Sequence, residues 1–235
     1  MYDNPNLTID FNITNYCNSI CPTCKRYRIN YDTEKIDVHE NLKVIHMNFN
    51  DFEKILLLND DFFKEKRAQF CGEFGDPIMH PQLNDFIILS SDIFELLTIN
   101  TNGGVKRKNV FDTIINIPKQ NVEIVFSIDG TTHEINSIYR RNVNTKLSFY
   151  NMFNLIQKIG GDRIKWDFVV FKHNVHQVSE AIDIAKKNNI KLILKLNLRK
   201  QFGVLEKISE KQFYEMREII NIKNYSKLFF QDYYG

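Results

Sequence analysis

The feature that most limits the fold is an alternation of short strand-like runs with helical patterns, six strands in all. Leu7 to Ile13 (LTIDFNI) alternates apolar and polar side chains and reads as a first strand. A long polar segment follows, then helical spacing from about Phe52 to Phe63. Arg67 to Cys71 reads as the second strand. Pro81 then suits the first turn of a helix, where its missing N–H has no partner to lose. Glu95 to Thr101, Val122 to Ile128, Ile164 to Val170 and Ile190 to Leu196 read as four more strands. Helical patterns separate them around Val110 to Ile115, Lys146 to Ile159 (ended by Gly160-Gly161) and Val175 to Lys187. A last amphipathic helix covers Ser209 to Ile222, with Ser209 as its cap. Such alternation implies parallel βαβ units and an α/β fold. No linker, repeat or low-complexity tract interrupts it. We therefore expect one core over residues 1–200, with the helix and aromatic tail of 201–235 packing on it. In this architecture functional loops lie at the C-terminal ends of strands, and the unusual polar motifs fall there.

Charge narrows the function classes. The 31 Lys+Arg against 29 Asp+Glu leave a net charge of +2, and Lys106-Arg107-Lys108 is too short a basic run to suggest nucleic acid. No apolar stretch reaches the roughly 18 residues of a membrane span. Met1-Tyr2-Asp3-Asn4-Pro5 lacks the basic-then-apolar pattern of a signal peptide, so we expect a cytoplasmic protein. Four Cys are present, and Cys17, Cys21 and Cys24 form a Cys-x3-Cys-x2-Cys cluster after the first strand. Three clustered Cys cannot all pair with one another, and in a reducing compartment such spacing points to metal or redox chemistry. Three thiolates can surround three irons of a [4Fe–4S] cluster and leave one iron open. Structural zinc is the alternative and needs a fourth ligand, such as Cys71, His39 or His46. The six His show no His-x3-His spacing.

Further motifs follow, one per unit. They are Gly72-Glu73-Phe74-Gly75-Asp76-Pro77 with His80-Pro81, Thr101-Asn102-Gly103, Ser127-Ile128-Asp129-Gly130, Tyr139-Arg140, and Trp166 to Asn174. In this order, and behind Thr14-Asn15-Tyr16-Cys17-Asn18, they resemble the radical S-adenosylmethionine (radical SAM) superfamily over roughly residues 7 to 198. The Gly-Asp-Pro run is similar to that superfamily's Gly-Gly-Glu-Pro element. The likeness is greatest to the SPASM-type, peptide-modifying branch.

The resemblance implies a partial (β/α)6 barrel of parallel strands. It implies that Cys17, Cys21 and Cys24 ligate a [4Fe–4S] cluster within the loop 14–28. The cluster would cleave S-adenosylmethionine (SAM) reductively, and the 5′-deoxyadenosyl radical would take hydrogen from a substrate. Glu73, Gly75, Asp76, Asn102, Ser127, Asp129, Arg140 and Asn174 are the implied cofactor-binding residues. An external flavodoxin- or ferredoxin-like electron donor is implied, and a peptide or protein substrate is favoured, with no membrane or nucleic-acid partner. Each motif also has a plain reading. Gly75-Asp76 is a common turn composition. Ser127 and Asp129 suit a strand-end turn before Gly130, Arg140 reads as a solvated side chain beside Arg141, and Asn102 as support for the turn at Gly103-Gly104. Asn174 reads an adenine edge or caps the helix after it. A zinc or iron–sulfur binding protein without activity, and a radical SAM enzyme acting on a small molecule or nucleotide, are the competing classes.

The sequence also departs from the pattern. Thr23 stands where an aromatic is usual, so adenine packing would fall to Tyr27 or Tyr16. Asp76 is a methylene shorter than the usual Glu, unless Glu73 takes its role. No Cys follows Cys71, so an auxiliary cluster in a Cys-rich extension is not expected. Cys71 itself reads as a small buried hydrophobe or an active-site thiol. Asn30 to Asn48 lacks a clear period and is a candidate lid, and the aromatic run Phe229 to Tyr234 is expected to pack over the barrel.

Overall fold

The computed structural model describes residues 7–29, 36–38, 42–70, 74–196 and 207–232. Seven strands form one parallel sheet. They are β1 (Thr8–Asp10), β4 (Arg67–Phe70), β5 (Leu96–Thr101), β6 (Val122–Ser127), β7 (Ile164–Val170), β8 (Lys191–Leu196) and β9 (Leu228–Asp232), hydrogen-bonded in that order. Among the described residues β1 and β9 are the two edges, so the curved sheet is not closed there. Beside it, β2 (Tyr27–Ile29) and β3 (Ile36–Val38) pair antiparallel. The helices are α1 (Phe49–Leu57), α2 (Asp60–Phe63), α3 (Leu83–Ile93), α4 (Lys108–Asn116), α5 (His133–Tyr139), α6 (Thr145–Ile159), α7 (Val178–Lys187) and α8 (Glu210–Lys223).

Strand periodicity explains the layers. On β5, Leu97, Ile99 and Thr101 are buried while Leu96, Thr98 and Asn100 are half-buried. β8 repeats the pattern, with Leu192, Leu194 and Leu196 buried. The buried set joins Phe86 and Ile87 of α3, Met152 and Leu155 of α6, and Ala181 and Ile182 of α7 in one apolar core. The alternate set is mostly polar, with Leu96, Val125 and Ile193 among it, and lines a cavity of about 250 Å³ on the concave side of the sheet. The α/β fold expected from the sequence is therefore present.

Several boundaries differ from expectation for local reasons. The helix anticipated from Phe52 to Phe63 is two helices, because the chain turns at Leu58 and Asn59 between α1 and α2. Asn48 caps α1 by accepting from the backbone N–H groups of Asn50 and Asp51. Pro81 does not open a helix. Pro77 begins a 3-10 turn capped by Asp76, and α3 starts at Leu83. α5 went unpredicted, since seven residues carry too little periodicity to register. Ser209 caps α8 as expected, in a reciprocal capping box with Gln212. The tail adds a seventh strand: Phe230 packs towards Phe213 and the core, while Phe229 faces out beneath the Lys191 ammonium, 3.6 Å from the ring centroid. Cys71, Glu73, His39, Tyr233, Tyr234 and the 200/201 boundary lie outside the described residues. Among those described, no helix is long and apolar enough to cross a membrane.

Two predictions follow from packing. Phe230→Ala should cost about 2 kcal/mol, below the range for a fully buried Phe, and a urea melt reads it. His80 is 0% exposed and tied at both ring nitrogens, Nε2 donating to the Met47 carbonyl and Nδ1 accepting from Gln82 N–H. Burial holds its pKa below the ordinary value. Above about pH 6.5 the ring is neutral in both states. As pH falls below that, the unfolded chain binds the proton first, so stability declines until the folded ring also protonates. Wild type should therefore lose more melting temperature than His80→Gln between about pH 7 and 5.

Candidate active site

The three clustered cysteines lie on the loop that leaves β1 at the C-terminal mouth of the sheet. That loop is anchored on both sides. Met47 N–H donates to the Ile13 carbonyl at 2.8 Å, and Thr14 Oγ1 meets His46 Nδ1 at 2.8 Å. Asn15 exchanges side-chain bonds with the backbone of Lys43 and Ile45. Residues 42–48, part of the segment expected to form a lid, thus form one wall of the loop. Opposite them, Gly75 lies so close that a Cβ there would stand 2.1 Å from the Thr14 carbonyl oxygen. Asp76 N–H then donates to the Tyr16 carbonyl at 2.8 Å.

A second clamp comes from the end of α5. Ile20 N–H donates to the Arg141 carbonyl at 2.9 Å, and Asn142 Nδ2 donates to the Asn18 carbonyl at 2.8 Å. Thr23 Oγ1 meets the Tyr139 hydroxyl at 2.9 Å. The position lacking an aromatic is therefore used to bind the loop to α5. Inside the loop, Arg26 donates to the Cys17 carbonyl and Tyr27 donates to the Ser19 carbonyl.

The thiols are surrounded by donors. Ser19 N–H points at Cys17 Sγ at 3.3 Å, and Asn102 Nδ2 reaches the same sulfur at 3.8 Å. Ser19 Oγ meets Cys21 Sγ at 2.9 Å, and Arg140 Nη1 lies 3.9 Å from it. Burial pushes the Cys17 thiol up to about 12, with Asp76 adding to the shift. Burial also raises Cys21, and Arg140 opposes it. A desolvated thiol stays protonated until a cation or metal compensates its charge.

Two relays of hydrogen bonds lead away from these sulfurs. The first runs through Asn102 to Asp76. The Asp76 Oδ2 accepts from Asn102 N–H at 2.8 Å, Asn102 Nδ2 at 2.7 Å and Thr101 Oγ1 at 3.0 Å, while Oδ1 accepts from Ile78 N–H. The second runs from Cys21 through Arg140 to Asp129, whose Oδ2 accepts from Arg140 Nε at 2.5 Å. Asp129 Oδ1 accepts from Val169 N–H, and its own N–H donates to Asn136 Oδ1, both at 2.7 Å. Asn174 is 0% exposed, accepts from Phe171 N–H, and donates to the carbonyls of Asp129 and Val169. Asp76, Asp129 and Asn174 thus have their side chains committed to protein groups. Ser127 is half-buried on the lumen side of β6, opposite Asp167 in register.

The structure therefore gathers Cys17, Cys21, Asp76, Asn102, Asp129, Arg140 and Asn174 into one connected network. Sequence reading missed Asn18, Ser19, Arg26, Asn136 and Asn142. The signal available was the density of short polar residues within and opposite a Cys loop. Among the described residues, no group of three or more His, Cys, Asp or Glu side chains is arranged to hold a single metal ion. His46, one candidate fourth zinc ligand, is engaged by Thr14. Three soft donors on one loop, with Arg26 and Arg140 beside them, fit a cluster in which each thiolate meets a different iron.

No family model matches the sequence, and neither does any curated protein. Solved structures do match. Streptococcus suis SuiB bound to S-adenosylmethionine has a TM-score of 0.71 at 16% identity, over 97% of this chain and 50% of that one. SuiB bound to precursor peptide SuiA gives 0.72 at 15% identity, covering 96% and 49% respectively. A radical SAM methyltransferase from Sphaerobacter thermophilus gives 0.63 at 11% identity, over 98% of this chain and 67% of that one. The chain thus has the partial-barrel fold of radical SAM enzymes and spans about half the length of SuiB.

Removing the Asp129 carboxylate should be costly. Arg140 is 18% exposed at its side chain and would keep a largely buried charge without a partner. Asp129→Ala should destabilise by about 3 kcal/mol in a denaturant melt. Asp129→Asn retains an acceptor for Val169 N–H and should lose less.

Proposed function

We propose that this chain is a radical SAM enzyme in which Cys17, Cys21 and Cys24 hold three irons of a [4Fe–4S] cluster. The carrying observation is the placement of three thiols on one loop at the C-terminal mouth of a parallel partial barrel, two of them, Cys17 and Cys21, desolvated among donor groups. When bound, such a cluster supplies an electron, received from an external flavodoxin- or ferredoxin-like donor, for reductive cleavage of SAM. The protein's part is to hold, orient and exclude water. Ser19 and Asn102 donate to Cys17, and Arg140 approaches Cys21, which favours the anionic form of each sulfur. Buried N–H donors to sulfur also set how readily a cluster accepts charge.

For SAM, the residues divide into contacts and supports. Ser127 offers a hydroxyl at the end of β6, and Gly75 lies against the cluster loop at Thr14 and Asn15. Arg140 spends its Nε on Asp129 and turns its Nη1 towards Cys21, which leaves its Nη2 for a carboxylate. Asp76, Asn102, Asp129 and Asn174 act as positioning residues through the bonds described above. Glu73 remains a candidate on the sequence pattern alone. A peptide substrate is supported by likeness to SuiB, whose structure was solved with precursor peptide SuiA.

Anaerobic reconstitution should yield about four iron and four sulfide per chain. Ala at Cys17, Cys21 or Cys24 should abolish that uptake. Ser127→Ala should weaken SAM binding by about 1 kcal/mol with iron content unchanged, and Arg140→Ala by more. One zinc per chain with no SAM binding would overturn the reading.

A further inference from the structure

The concave face of the sheet holds polar side chains that the mouth does not use. Gln69, Thr98, Asn100, Lys165, Asp167 and Lys195 line its cavity of about 250 Å³. Resting on the enzyme reading above, we infer that this lumen receives an uncharged secondary amide, as carried by an extended peptide segment. Asn100 Nδ2 would donate to an amide carbonyl and Asp167 Oδ1 would accept from an amide N–H.

Three observations lead there. The first is unmet bonding. Asp167 is 6% exposed, and its Oδ1 is buried with no hydrogen-bond partner; Asn100 Nδ2 is likewise buried and unpartnered. One is an acceptor and the other a donor, and both border the cavity. Buried polar groups in this condition strongly favour a ligand that completes them.

The second is charge. Each cation lining the cavity already has a carboxylate: Arg67 lies 4.0 Å from Glu95, Lys165 meets Glu123, and Lys195 meets Asp167 Oδ2. A net-charged ligand would be desolvated there without a free counter-charge, so neutral hydrogen-bonding chemistry is favoured.

The third is size and span. The volume falls below the roughly 300–1,000 Å³ of sites that enclose a drug-sized ligand. Asn100 on β5 and Asp167 on β7 are separated by one strand, β6, and by two residues in register, so their backbones stand about 12 Å apart. Three or four extended residues cover that distance at about 3.3 Å each. One short backbone stretch can therefore offer a carbonyl to the first and an N–H to the second.

The test uses the full chain and N-acetylalanine N-methylamide as probe, followed by saturation-transfer NMR. Saturable binding is expected in wild type. It should weaken about tenfold in Asn100→Leu and in the double variant Asp167→Leu with Lys195→Met, which strands neither charge. N-acetylalanine methyl ester, lacking one N–H, should bind less well. Circular dichroism and cooperative melting identify variants that stay folded. Absence of binding, equal binding to wild type and both folded variants, or equal binding of acetate or methylammonium would overturn the inference. The assay needs neither cluster nor SAM. A chain that binds the probe but takes up no iron would refute the enzyme reading and leave the amide site standing.

Discussion

A carboxylate taken wholly out of water is tolerated only where charge and hydrogen bonds replace its hydration. Asp129, 0% exposed, meets that condition by drawing four parts of the chain together. Its oxygens take Arg140 Nε and Val169 N–H, its amide reaches Asn136, and its carbonyl accepts from Asn174. The end of β6, the end of β7, the middle and C-terminal end of α5, and the turn at Asn174 are therefore fixed by one residue. Arg140 then stands where it meets Cys21, and the next residues clamp Asn18 and Ile20. The geometry of the thiols is set as much by this distant strand end as by their own loop.

Parallel sheets are usually covered on both faces, and their strands then read as continuous apolar runs. These strands alternate instead, because the concave face carries a polar interior. Thr98 and Asn100 on β5, Lys165 and Asp167 on β7, and Ile193 and Lys195 on β8 share that side, while their neighbours pack under helices. The paired charges cost desolvation that an apolar filling would avoid. A sheet stabilised for packing alone would not contain them.

How much of this was legible follows from the range of the interactions. The strands themselves were readable because period-two burial is local, and β5 and β8 display it without exception. The Cys spacing and the Asn102, Asp129 and Arg140 motifs were readable because each lies at a strand or helix end. Their division of labour was not. Asp76 and Asn174 look like ligand-binding residues in sequence, yet each spends its side chain on backbone and neighbouring groups across 2 to 45 positions of chain. Saturation of that kind is a tertiary property. β9 was hidden for a related reason: Phe229 and Phe230 are adjacent aromatics, and only pairing with β8 sends one outward and the other to the core.

The open seam of the sheet bears on what such a lumen can accept. Among the described residues, β1 has three residues and pairs only with β4, while β9 pairs only with β8. A closed barrel of about eight strands has an interior that holds at most one small ligand. An unclosed one lets a small part of a long molecule enter while the remainder stays outside. The cavity has room for a short stretch of backbone, and the thiols stand at the mouth above it. A long chain could then be gripped at one amide while an adjacent residue is presented to the mouth. Recognition would rest on the backbone, which every peptide shares. Selectivity among peptides would fall to the rim, where Tyr16 and Phe74 are exposed beside the Cys loop.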